Sequence, residues 1–229
     1  SSRVSAICDE MGLVLKRAAF SPNIKDRLDY SCAIFDAKGE MLAQADHMPV
    51  HLGSMAYAMH SIVMDKDWIQ GDLLVLNDPF LGGTHLPDVT VISPVFLDGN
   101  RLGGFVVNRA HHANIGCNTP GSMPISSKLE EEGLVIPPTF LFKAGVLQKD
   151  SAQLLGFTDN ALTGDFAAQV GANKIGGIRL EQLIERIGWK NYRQNIEQLN
   201  NFAMGISLAA ISKLKPGIYK FVDYLDDDG

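Results

Sequence analysis

Val89 to Leu97 and Leu102 to Val107 are rich in branched side chains and are separated by little more than Asp98-Gly99-Asn100. Branched residues suit a pleated sheet, and glycine in a short polar loop supplies the positive φ of a hairpin turn. Two core strands joined as a hairpin are therefore the first constraint on the fold. Leu73 to Leu76 reads as another core strand, and Tyr30 to Phe35 and Met41 to Ala45 flank a second glycine turn, Asp36-Ala37-Lys38-Gly39-Glu40.

Around these runs the period changes from two to about 3.6. Residues 3 to 19 carry Val4, Ile7, Met11, Val14, Leu15 and Ala18 at helical spacing, ended by Phe20-Ser21-Pro22. Residues 51 to 64 repeat the pattern with Leu52, Met55, Ala56, Met59, Ile62 and Val63. Residues 165 to 187 and 191 to 214 predict two more helices, the first weakened by Gly171, Gly176 and Gly177 and expected to kink or break. Gly217 to Leu225 reads as a strand running into the turn signal Asp226-Asp227-Asp228-Gly229, with no returning strand. The expected class is α+β: a mixed sheet built from hairpins with flanking helices and a helical C-terminal part. Residues 1–162 are expected to form a mixed α/β, site-bearing part and 163–229 a mainly helical part.

Composition narrows the function. The chain of 229 residues has a net charge of -6 and no Lys/Arg run, which argues against nucleic acid or an anionic membrane surface as partner. No apolar stretch approaches the roughly 20 residues of a membrane span, and Arg3, Asp9 and Glu10 stand where a signal peptide is apolar, so a cytoplasmic setting is expected. Three widely spaced cysteines, Cys8, Cys32 and Cys117, indicate neither a disulfide framework nor a zinc knuckle.

All six histidines fall between His47 and His112, most beside an acid or amide. Imidazoles and carboxylates are the usual ligands of divalent metals and the usual proton carriers. The sharpest local pattern is Gly82-Gly83-Thr84-His85-Leu86-Pro87-Asp88, in which two glycines permit a tight turn and Pro87 bars a regular helix. His85 and Asp88 can then meet at one divalent ion. A third ligand comes from His111 or His112; adjacent residues in an extended chain face opposite ways, and His111 is the expected ligand. His112 is left as a proton-moving or substrate-facing group. Asp46 and His47 are further candidates for proton transfer at the mouth of the second helix. Asp78, His51 and Arg109 are expected to support the metal or face substrate. The loop from 116 to 138, rich in proline and glycine and directly after the histidine pair, is expected to be functional.

The runs Ser21–Cys32, His51–Met55, Asn77–Asp88, Asn108–Ala113, Thr119–Pro124 and Glu131–Pro138 together resemble the hydantoinase B/oxoprolinase family. The resemblance spans almost the entire chain, though Cys117 stands where the family pattern suggests glycine and family members are about twice as long. It implies part of an ATP-dependent enzyme acting on cyclic amides such as hydantoins or 5-oxoproline, with ketone carboxylases as related systems. In that family a hydantoinase A-type partner binds ATP, the B subunit handles the carbonyl, and the carboxylase relatives hold a metal. Carried over, the His-x-x-Asp pair falls on His85 and Asp88, and the downstream histidine on the His111-His112 pair.

A planar amide is a poor electrophile, so ring opening needs a better charge sink at the carbonyl oxygen, by phosphorylation, by a Lewis-acid metal, or both. The sequence lacks the GxxxxGK[ST] phosphate cradle, which points to ATP being handled by a partner. The leading expectation is thus cyclic amide hydrolysis assisted by a divalent metal (Mn, Zn or Mg). Its rivals are a subunit of an ATP-dependent ketone carboxylase and a non-catalytic fragment that only binds the partner.

Overall fold

The computed structural model describes residues 2–45, 48–51, 53–157, 162 and 164–223. Helices α1 (Ser2–Ala18) and the short α2 (Pro22–Lys25) lead into strands β1 (Tyr30–Phe35) and β2 (Met41–Gln44). A 3-10 turn at Pro49–His51 precedes α3 (Ser54–Met64). Strands β3 (Leu73–Leu76), β4 (Asp88–Leu97) and β5 (Arg101–His111) follow, then α4 (Leu129–Glu132), β6 (Thr139–Lys143), β7 (Val146–Leu147), α5 (Lys149–Leu154), α6 (Gly164–Ile187) and α7 (Trp189–Ile211). Seven strands form one sheet in the order β2-β1-β5-β4-β3-β6-β7, and every pairing is antiparallel. This is an α+β architecture, with helices on both faces of a sheet assembled from hairpins.

Period-two alternation assigns the two faces. Tyr30, Cys32, Ile34, Val106 and Ala110 belong to a core beneath α1 and α6 that includes Met11, Leu15, Ala172 and Leu180. Ala33, Phe35, Ile92, Phe105, Val107, Leu74 and Leu76 belong to a core with Met55, Met59 and Ile62 of α3. On this second face the strands turn polar toward one end of the sheet. Phe35 and Ala33 give way to Ser31, Ile92 to Thr90 and Asp88, and Phe105 and Val107 to Arg109 and His111. The register pairs Ser31 with Arg109, Arg109 with Thr90, and His111 with Asp88. Three adjacent strands thus deliver a polar patch at the end of an apolar face.

Some expectations change. Helix α6 is continuous through its glycines, because Gly176 sits where a Cβ would overlap the Met11 thioether, so the missing side chain is what lets α1 and α6 approach. Residues 217–223 form no strand: they are exposed and have no ladder partner, and the remainder of that expected strand lies outside the described residues. Of the apolar stripe expected on α7, Ile196 and Leu199 pack on the body, whereas Phe202, Ile206 and Leu214 are exposed. The segment after residue 138 adds the hairpin β6–β7 and α5, which sequence periodicity leaves unassigned. Among the described residues, no helix is long and apolar enough to cross a membrane.

Candidate metal centre

Asp88, the first residue of β4, sits at the centre of the polar patch. Its Oδ2 accepts hydrogen bonds from Thr84 Oγ1 at 2.7 Å and from His51 Nε2 at 3.2 Å. Its Oδ1 lies 3.2 Å from His85 Nε2 and 3.8 Å from His111 Nδ1. His111 Nε2–H donates to the Gly121 carbonyl at 2.8 Å, which turns Nδ1 toward Asp88 and, at 3.5 Å, Asp29 Oδ2. Asp88 Oδ1 and His111 Nδ1 are both buried with no hydrogen-bond partner. Buried polar atoms left without a hydrogen bond are costly in a protein interior. A cation removes that cost, and His85, Asp88 and His111 offer ligand atoms within 4.8 Å of one another. Asp29, His51 and Asp88 form a second such set around the same carboxylate.

Burial alone would push Asp88 upward, but the His51 hydrogen bond and nearby His85 outweigh it and hold the carboxyl far below its usual range. Reciprocally, the Asp88 carboxylate raises His85. The side chain of His85 is 42% exposed and that of Asp29 22%, against 3% for Asp88 and for His111, so the cluster opens to solvent on the His85 and Asp29 side.

The loop from β3 to β4 is held from beneath. Asn77 donates from Nδ2 to the carbonyls of Leu86 and Leu134 at 2.7 and 2.8 Å, and accepts from Ile136 N–H, tying the site loop to the segment after α4. Arg109, without exposed surface, donates to Thr90 Oγ1, Ser54 Oγ and the Gly82 carbonyl at 2.7, 2.8 and 2.8 Å. Burial lowers its pKa to about 10, with Asp88 pulling the other way, so it stays charged at neutral pH. Its charge is spent on scaffolding rather than on a solvent-facing contact.

The expected site residues therefore separate. His85, Asp88 and His111 converge, with His51 bonded behind Asp88 and Arg109 beneath the loop. His112 faces the opposite side: its Nε2–H donates to Gln169 Oε1 at 2.8 Å, its ring meets Phe166 edge-on, and burial lowers its pKa. Asp78 caps a turn, accepting from Phe80 N–H at 2.9 Å, and is outside the cluster. Asp46 and His47 lie outside the described residues. Asp29, Ser31 and Thr84 join the cluster beyond the expected residues. Asp29 and Ser31 share the parity of Ala33 and Phe35, and that alternation is the signal that points to them. A surface cleft of about 440 Å³ near Phe140, Lys143 and Lys149 includes none of these groups.

Ser31, His51 and Asp88 are linked in the order of a hydrolase triad, with Ser31 Oγ 3.0 Å from His51 Nδ1. Ser31 has no exposed surface, so no substrate carbonyl can reach its hydroxyl, and a nucleophilic role is excluded on access.

A family model for hydantoinase B/oxoprolinase matches residues 1–229. The 5-oxoprolinase of Saccharomyces cerevisiae is 37% identical over 98% of this chain, which spans 18% of that protein. Among solved structures, the ATP-dependent caprolactamase from Pseudomonas jessenii superposes with a TM-score of 0.86 at 30% identity, covering 100% of this chain and 40% of its own. Acetone carboxylase superposes with a TM-score of 0.64 at 22% identity over 81% of this chain and 25% of its own, a likeness of fold alone. The chain spans well under half the length of the curated relatives it matches.

Proposed function

The chain belongs to the hydantoinase B/oxoprolinase family, and from that premise we propose that it is the site-bearing portion of an ATP-dependent cyclic amide hydrolase. Hydantoins or 5-oxoproline are the substrate class, and a hydantoinase A-type subunit handles the ATP chemistry. The likeness to an ATP-dependent caprolactamase supports ring amides over ketones. The observation that carries the reading is the facing pair Asp88 Oδ1 and His111 Nδ1, both buried without a hydrogen bond, with His85 Nε2 3.2 Å from that oxygen.

His85, Asp88 and His111 are the residues that would hold a divalent metal. Bound there, it supplies Lewis-acid polarisation of a ring carbonyl oxygen, worth several kcal/mol of charge stabilisation. The chain's own groups do the rest. Asp88 and His111 are buried and pre-aligned, so little reorganisation accompanies binding. His85, at the open side, would complete the ligand set as a neutral imidazole. Asp29, partly exposed and 3.5 Å from His111 Nδ1, is placed to accept a proton from water at the mouth. His112, engaged by Gln169, supports the α6 face and leaves the proton-transfer role to Asp29.

The test is reconstitution with an A-type subunit, ATP and either 5-oxoproline or hydantoin, alongside metal analysis of the purified chain. Ring opening that requires ATP, with stoichiometric metal lost in His85→Ala, supports the reading. Metal-free chain with unchanged turnover removes the Lewis-acid role, and ATP-dependent bicarbonate fixation without amide hydrolysis assigns the chain to the carboxylase chemistry instead.

A further inference from the structure

The two oxygens of Asp88 have different surroundings. Oδ2 receives Thr84 Oγ1 and His51 Nε2, whereas Oδ1 has no hydrogen-bond partner and faces His85 and His111. We propose that Ser31 and His51 form a positioning relay that pins Asp88 through Oδ2 and so presents Oδ1 to the cation. This rests on the cation reading above and assigns roles within it.

The direction of the relay follows from Ser31. Its hydroxyl is buried on β1, and His51 Nδ1, 3.0 Å away, is its hydrogen-bond partner among the described residues. A buried hydroxyl gives its proton to an acceptor when one is within reach. Donation to Nδ1 makes Nδ1 the acceptor nitrogen and places a ring proton on Nε2. Nε2–H then points at Asp88 Oδ2, 3.2 Å away. With the opposite tautomer, two acceptors would meet at that contact.

Thr84 completes the grip from the other side, at 2.7 Å to the same oxygen. A carboxylate held by two donors on one oxygen has lost its freedom to rotate, and its second oxygen is aimed by default. His51 has no exposed surface and ends the 3-10 turn leading into α3, so its ring is itself fixed by packing. The arrangement has the character of supporting bonds around metal ligands, whose loss typically weakens metal binding by roughly 10- to 100-fold. It also assigns His51 away from the second potential ligand set with Asp29, because a nitrogen that carries a proton toward Asp88 offers no lone pair to an ion.

The experiment is calorimetric titration of the metal-free chain with Zn²⁺ and, separately, Mn²⁺, for wild type, His51→Leu, His51→Gln, Ser31→Ala and the double variant Ser31→Ala/His51→Gln. Circular dichroism establishes that each variant is folded. One ion per chain is expected in the wild type. His51→Leu weakens binding by roughly 10- to 100-fold. His51→Gln, which keeps a donor at the Nε2 position, stays near wild type. Ser31→Ala weakens binding by a smaller factor, and the same change has no further effect in the His51→Gln background, because Ser31 acts only through the imidazole. Wild-type affinity in folded His51→Leu overturns the relay while leaving the cation site standing. Two ions in the wild type, one of them lost with His51, also overturns it by making His51 a ligand. If His51→Leu does not fold, the cycle decides: an equal loss from Ser31→Ala in both backgrounds overturns the relay. No ion on the wild-type chain removes the cation reading and the relay with it.

Discussion

Asp88 and His111 are cross-strand partners, the last directly opposed pair of the β4–β5 ladder, and their facing atoms Oδ1 and Nδ1 stand 3.8 Å apart with no hydrogen-bond donor between them. Neighbouring positions on adjacent strands hold side chains at a spacing set by the backbone, so the two potential ligands are aligned by the sheet itself. Replacing Asp88 by Asn keeps shape and removes the charge. Divalent-metal affinity is expected to fall by more than about 100-fold, exceeding the usual loss for a supporting residue, as measured by equilibrium dialysis; affinity within threefold of wild type would place the ion elsewhere.

Gly83 lies where an added Cβ would overlap the Asn77 carbonyl oxygen and come within 2.7 Å of the Asp78 oxygen. Its N–H also donates to the Asp78 carbonyl at 2.7 Å. Gly83→Ala is therefore expected to cost about 1–3 kcal/mol, the usual range for forcing extra atoms into a packed site, read from urea unfolding. Metal binding should weaken with it, since the same turn carries His85.

The Arg109→Lys variant keeps the charge but not the fork. Three hydrogen bonds converge on the guanidinium from Thr90, Ser54 and Gly82, and an ammonium reaches fewer of them from a single point. Hydrogen bonds to charged groups contribute about 1.5–3 kcal/mol each, so a loss of about 3 kcal/mol in unfolding free energy is expected. A loss below about 0.5 kcal/mol would show that Lys rebuilds the network.

Thiol chemistry separates the cysteines. Burial, helped by the charge of Asp9, raises Cys8 to about 12, and burial holds Cys32 well above its ordinary value. Both stay protonated at pH 8, so a disulfide reagent is expected to modify only the half-buried Cys117 in the folded chain and all three after denaturation. Because the folded Cys8 binds its proton more tightly than the unfolded one, its contribution to stability is present below pH 9 and lost as pH rises toward 12. Rapid native labelling of more than one thiol at pH 8 would contradict the burial pattern.

Helix α7 carries Phe202, Met204, Ile206, Leu208 and Ile211 on exposed surface. Large apolar side chains left in water this way make a surface sticky in isolation. The isolated chain is expected to bind an apolar fluorescent dye and to self-associate with concentration in sedimentation, and Phe202→Ser/Ile206→Ser should reduce both. A dye-silent monomer would show that this surface is covered.

Much of this architecture is legible in the sequence because its signals are local. Leu73 to Leu76 and Tyr30 to Phe35 coincide with strands, and Asp98-Gly99-Asn100 is a turn in which Asp98 and Gly99 both take positive φ. The convergence of His85, Asp88 and His111 is readable from chemistry and alternation. Asp29 and Ser31 escape notice because an acid just ahead of a strand and a serine within it look ordinary until β1 is known to lie beside β5. The continuity of α6 escapes for a different reason: helix propensity penalises its glycines, while the gain, close approach of Met11, lies more than 150 residues away in sequence.

The β4–β5 hairpin turns at Asp98 to Asn100 and ends, ten rungs away, at Asp88 and His111. A slip of one residue would send either side chain to the α6 side of the sheet. Any ion gripping both therefore works as a rivet at the free end of the hairpin: it selects a single alignment of the two strands, and losing it lets that end fray first.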